Sequence, residues 1–186
     1  SFKRAAHLEY LPLPGGDGAA KFPWRMALVY LDRAYGNELF NLDLPYVRDL
    51  DKEQATILLQ MARQGVNSPL TSSCGRFFDA ISALLGVRRT IAYEGQAAVE
   101  LDMCQSRGEK GGYSWEIKNE GGQRVMLTAG IVRGVVGDIS KGMSKGVISG
   151  RFHNTLISMF TEACVTIRDG TGIKQVALSG GSFQNQ

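Results

Sequence analysis

The sequence predicts an α/β fold that is helix-rich, with a β-hairpin and short strands. Three observations point there. Apolar residues recur at helical spacing in several stretches, most clearly from Ser144 to about Arg168. Between Tyr113 and Leu127 the pattern changes to alternation on either side of "NEGG". The chain closes on "QVALSGGSFQNQ", where Val176, Ala177 and Leu178 read as a short buried strand running into a glycine turn. A strand, a glycine turn and a helix start together cradle phosphate or nucleotide in α/β proteins, because free backbone N–H groups face the anion. Here the helix that should follow is not built.

Taken in order, the opening "LEYLPLPGGDGAAKFP" is rich in Pro and Gly, has no period, and reads as loop. Pro23 suits a first helical turn, and Met26, Ala27, Tyr30, Leu31 and Ala34 then mark a helix. A second helix follows, with Asp51 as its cap, Gly65 as its stop, and Leu58, Leu59 and Met61 as its core side. In "RFFDAISALLGV" the residues Phe77, Phe78, Ile81, Leu84 and Leu85 share an apolar face that Gly86 ends. "YEGQAAVELDMCQSRG" reads as a loop leading into a helix, and the hairpin comes next. A short helix from about Thr128 to Val136 precedes the long one, whose stripe runs through Ile148, Phe152, Leu156, Met159, Phe160, Ala163, Cys164 and Ile167.

Composition narrows the function. With 21 basic and 18 acidic side chains interspersed and a net charge of +3, the chain has no basic stripe, so no nucleic-acid partner is expected. No apolar run approaches the roughly 20 residues of a membrane span, so no membrane partner is expected either. Three cysteines at wide spacing, with no CxxC or Cys/His cluster, predict neither zinc nor a disulfide framework and favour a cytoplasmic location. The start "SFKRAAHLEY" lacks a Met and an apolar core segment, and with the half-built closing motif it predicts a piece of something longer, cut at both ends.

Three glycine-bearing helix starts are the candidate sites. In "SSCGRFFDA", Gly75 permits close approach, and Asp79 one turn on suits a ribose hydroxyl pair; the plainer reading is a capped helix with a solvent-facing Asp. In "YEGQAA", Gly95 opens a helix flanked by Glu94 and Gln96. The third is "SGGSFQN", with Gly180, Gly181 and Asn185. "DGTG" at Asp169–Gly172 imitates a phosphate loop, yet it follows a long helix, so Gly170 and Gly172 read as a helix stop. His7 and His153 belong to no ligand pattern, and His153 reads as a partly buried structural imidazole. Cys74 sits near a helix start, where a thiol pKa can fall, but no base lies nearby in sequence; no catalytic residue is assigned.

The stretches "YLPLPGGDGAAKFPWRMAL", "SPLTSSCGRFFDAISALLG", "IAYEGQAAVELD", "RFHNTL" and "VALSGGSFQN" together resemble the C-terminal domain of the HypF carbamoyltransferases of hydrogenase maturation, in family order and over nearly the whole chain. That resemblance implies part of an actin- and sugar-kinase-like two-lobed domain, with residues 1–70 as loop plus helical insertion and 71–186 as much of the second, nucleotide-facing lobe. It implies a carbamoyltransferase as the intact protein, with this fragment inactive alone. Carbamoyl phosphate and ATP give carbamoyl-adenylate, and the carbamoyl group passes to the C-terminal cysteine of the partner HypE, towards the cyanide ligands of nickel-iron hydrogenase. Carried over by motif, Gly75, Asp79, Glu94 and Gly95 would face the nucleotide, and Gly180, Gly181 and Asn185 would form its adenine and ribose wall. The family's divalent metal, iron or zinc, would have its ligands outside this stretch. Two other functions fit the same fold: a tRNA threonylcarbamoyl transferase, from which "YEGQ" in place of "YPGG" separates this sequence, or a non-catalytic scaffold.

Overall fold

The computed structural model describes residues 3–181. The chain runs β1 (Ala6–Leu8), β2 (Leu11–Pro12), α1 (Asp17–Lys21), α2 (Pro23–Tyr35), a 3-10 turn (Gly36–Asn41), α3 (Pro45–Arg48), α4 (Lys52–Gln64), β3 (Leu70–Thr71), α5 (Cys74–Leu84), α6 (Gln96–Met103), β4 (Glu116–Glu120), β5 (Gln123–Leu127), α7 (Ala129–Ser140) and α8 (Lys145–Thr171). It is α/β and helix-rich, as expected, and its strands are few and short.

The helix ends follow their capping chemistry. Asp51 accepts a hydrogen bond from the Gln54 N–H at 3.0 Å, and Gly65 takes a left-handed conformation at the other end of α4. Ser144 caps α8 through the Val147 N–H, and left-handed Gly172 stops it, which explains the "DGTG" decoy; Gly170 lies inside the helix. The segment read as one helix before Gly65 carries a separate turn, α3, with Pro45 at its start.

β4 pairs antiparallel with β5 across Gly121-Gly122, both at positive φ, and β5 pairs parallel with β1. The hairpin is narrower than the alternation suggests, because Tyr113 and Trp115 precede β4. Tyr113 instead lies over Gly134 of α7 and donates to Asp138 at 3.0 Å. The opening stretch, expected to be loop throughout, holds β1, β2 and α1; three- and two-residue strands are too short to leave a period. β2 pairs with β3, tying residues 11–12 to 70–71.

α2 lies along α5, and both helices contribute to one core. Tyr30 stacks on Phe77 with ring centroids 4.6 Å apart, and Phe152 of α8 meets both Phe77 and Phe78 edge-on. Every residue expected on the α2 stripe is buried, as are Phe77, Phe78, Ile81, Leu84 and Leu85. Residues 1–70 and 71–186 thus supply the same core.

The closing strand is not formed. Residues 172–180 carry no strand, and Val176 and Leu178 are 63% and 68% exposed. A buried strand needs a neighbour to satisfy its backbone N–H and C=O groups, and among the described residues none pairs with this segment. No helix of the described residues is long and apolar enough to cross a membrane.

Candidate functional site

The N-terminal half of α5 carries a buried charged pair. Asp79 is 1% exposed, so the solvent-facing reading is wrong: the hydrophobic face on which Phe78 and Ile81 lie continues around it. Its Oδ2 sits 2.9 Å from Arg76 Nη1, a spacing of three residues that places both side chains on one side of the helix. Neither atom touches water or makes a well-aligned hydrogen bond, so the pair is held by charge alone. Burial pushes the Asp79 carboxyl up to about 6, against the opposing pull of the Arg76 guanidinium.

Tyr30 of α2 faces the same spot. Burial holds its hydroxyl well above the usual phenol range, and Cys74, Glu9 and Asp79 add to the effect while Arg76 opposes it. Glu9, just past β1, is buried but fully engaged: it accepts from the Thr128 N–H at 2.7 Å and hydroxyl at 2.8 Å, and from Arg33 Nε at 2.5 Å. Three elements therefore bring two carboxylates, a guanidinium, a phenol and a thiol around the start of α5. Glu9 is satisfied; Asp79 Oδ2 faces Arg76 without a well-aligned hydrogen bond.

The other expected residues lie in separate surroundings. Gly75 is the second residue of α5, and a Cβ there would meet only Ser73 Oγ, at 3.6 Å. Gly95 caps α6 at φ 80°, a conformation that favours glycine, and Glu94 is exposed beside it. The strongest interactions of that loop belong to Gln96: its side-chain oxygen accepts from the Ala92 N–H at 2.7 Å, and its amide donates to Glu100 at 2.8 Å. Glu100 in turn holds Arg88 through two hydrogen bonds of 2.7 and 2.8 Å. Gly180 and Gly181 lie on the exposed tail with no neighbour near their Cβ positions, and Asn185 lies outside the described residues.

Among the described residues, no hydrogen bond or ion pair links Asp79, the Gly95 loop and the Gly180 turn. The buried polar chemistry among these candidates lies at the start of α5. Reading the residues singly overlooked Arg76, although its spacing to Asp79 was a usable signal. Tyr30 and Glu9 left none, because only the fold brings them there.

No group of three or more His, Cys, Asp or Glu among the described residues is arranged to hold a metal ion. His153 donates its Nδ1–H to the Ser149 carbonyl, 2.8 Å away, and burial lowers its pKa. A cavity of about 360 Å³ lies at the far end of α5, between Tyr46, Leu84, Arg89, Met143 and Lys145, and none of the expected residues lines it.

Comparison with known proteins defines the class first. Residues 1–186 match the family model described as "Carbamoyltransferase, Kae1-like Domain, second subdomain". A crystal structure of full-length HypF in the phosphate- and nucleotide-bound form superimposes with a TM-score of 0.91 at 40% identity, over 100% of this chain and 28% of that one. The T. kodakarensis HypF crystal structure gives 0.80 at 30% identity, over 98% and 24%. The carbamoyltransferase HypF of Rhodobacter capsulatus is 34% identical over 186 residues, covering 99% of this chain and 23% of that protein. The chain belongs to the HypF carbamoyltransferase family, and it spans about a quarter of the length of those relatives.

Proposed function

We propose that this chain forms one wall of the nucleotide cleft in a carbamoyltransferase that moves a carbamoyl group from carbamoyl-adenylate to the C-terminal cysteine of HypE. The observation that carries the reading is the buried Asp79 carboxylate, whose Oδ2 faces Arg76 without a well-aligned hydrogen bond. A buried polar atom left unmatched is costly, and donors from a ligand's ribose hydroxyls would relieve it. The nucleotide-bound state of the superimposed full-length HypF supports the same choice of ligand.

The surrounding architecture would be a two-lobed, actin- and sugar-kinase-like domain, with this chain in the second lobe. In the transfer, the thiolate sulfur of the partner's cysteine attacks the carbamoyl carbon. The C–S bond forms, the bond from that carbon to the adenylate phosphate oxygen breaks, and AMP departs with the electron pair. Donors arranged around the carbonyl oxygen would stabilise the charge that develops there. The residues of this chain bind and orient the adenosine end and do not touch the reacting carbon. Gly75 and Gly95 would let the backbone approach, and Glu94, Gly180, Gly181 and Asn185 would complete the wall in the assembled protein. By the family resemblance, a divalent metal, iron or zinc, would have its ligands in the rest of the protein.

Calorimetric titration of a non-hydrolysable carbamoyl-adenylate analogue into wild type and Asp79→Ala tests the assignment. Saturable binding that weakens by tenfold or more in Asp79→Ala is expected. Equal, negligible heats would assign the chain to a scaffold that kept the fold without the ligand.

A further inference from the structure

We propose that residues 105–112 form a strap that opens as a unit from the face of α8 while the helical core stays closed, and that Asn154 is the latch that holds it shut. The strap joins the end of α6 to the approach of β4 and forms neither helix nor strand. Its sequence, "QSRGEKGG", holds no apolar side chain. Attachment therefore depends on polar contacts and close packing, without the apolar burial that closes the rest of the core. Segments held in that way open at a lower free energy than the core beneath them.

The seat for the strap is built into α8. Gly146, Gly150 and Asn154 recur every four residues, so they share one face of the helix. A Cβ at Gly146 would lie 2.6 Å from Ser106 Oγ, and one at Gly150 would lie 2.9 Å from Glu109 Cβ. The Ser106 N–H donates to the Gly146 carbonyl at 3.0 Å. Further along that face, the Asn154 amide donates to the carbonyls of Glu109 and Gly111 at 2.8 and 2.9 Å. Arg151 Nε stands 3.7 Å from Glu109 Oε1. Thr155 Oγ1 accepts the Tyr113 N–H at 2.8 Å, just past the end of the strap. Three polar residues of "RFHNTL" thus hold the strap and its far end, while Phe152 and Leu156 are buried in the core. Asn154 bridges two strap carbonyls with one side chain, which makes it the latch. Arg107, Gly108 and Lys110 are exposed on the outer side.

Amide hydrogen exchange of the chain, followed by NMR, tests the unit. The N–H groups of Ser106, Glu109 and Gly111 are each hydrogen-bonded in the closed strap. They should exchange with a common protection factor, lower than that of Phe152 and Leu156 in α8. Asn154→Asp keeps the shape of the side chain and loses both donors. It should speed exchange of all three amides by about tenfold or more and leave Phe152 and Leu156 unchanged. Trypsin should cut after Arg107 or Lys110 faster by a similar factor. Unrelated protection among the three amides, or acceleration confined to one of them, overturns the proposal. Exchange of the three in step with Phe152 and Leu156 overturns it too, since the strap would then open only with the core. Should Asn154→Asp fail to fold, Gly150→Ala displaces Glu109 and carries the same comparison.

Discussion

At the scale of single residues, Asp79 ties stability to the site. Its carboxyl is raised from an ordinary 3.8 to about 6 in the fold, so the folded state holds a proton that the unfolded state has lost across that interval. Stability therefore falls as pH rises from about 4 to about 6, and the loss persists above it, amounting to about 3 kcal/mol. Asp79→Asn should raise the melting temperature at pH 7 to 8, and the gain should shrink towards zero near pH 4; thermal melts by circular dichroism read this directly. Asp51 is the opposite kind of residue, a cap with no site nearby. Asp51→Ala should cost about 1 kcal/mol in chemical denaturation and leave nucleotide affinity unchanged.

At the scale of elements, α7 shows how little a sequence reveals about a glycine. Gly134 and Gly137 stand one turn apart on the same helix. A methyl group at Gly134 would drive into the Tyr113 ring, whereas a methyl at Gly137 meets nothing within 4 Å. Gly137→Ala should stabilise by about 1 kcal/mol, since alanine suits a helix better. Gly134→Ala should instead destabilise by about 1 to 3 kcal/mol through overpacking. Urea denaturation of the pair, with unchanged m-values, separates the two effects. The helices themselves were legible because each rests on local chemistry: Asp51 and Ser144 at starts, Gly65 and Gly172 at stops, and a repeating apolar face between. β1, β2 and β3 were not legible, because their strand character comes from partners far along the chain and not from any period of their own.

For the whole molecule, the same division holds for function. Family membership could be read from motifs spread over nearly the full sequence, whereas the burial of Asp79 could not be read from its helix start. Arg76 stands three residues before Asp79 on the same helix, so its pairing was within reach of local pattern, whereas Tyr30 and Glu9 come near only through the tertiary fold. The buried strand at Val176–Leu178 failed for the same reason in reverse, since its pattern asked for a pairing partner that the described residues do not supply. Val176→Asp should accordingly change the stability of this chain by less than about 0.5 kcal/mol.

Backbone amide shifts of the chain, followed by NMR as the adenylate analogue is added, test the central claim most directly. The account predicts shifts concentrated on Cys74 to Asp79 and on Tyr30, saturating with ligand and lost in Asp79→Ala. Shifts confined to the distant cavity around Tyr46, Arg89 and Lys145, or none at saturating ligand, would contradict it.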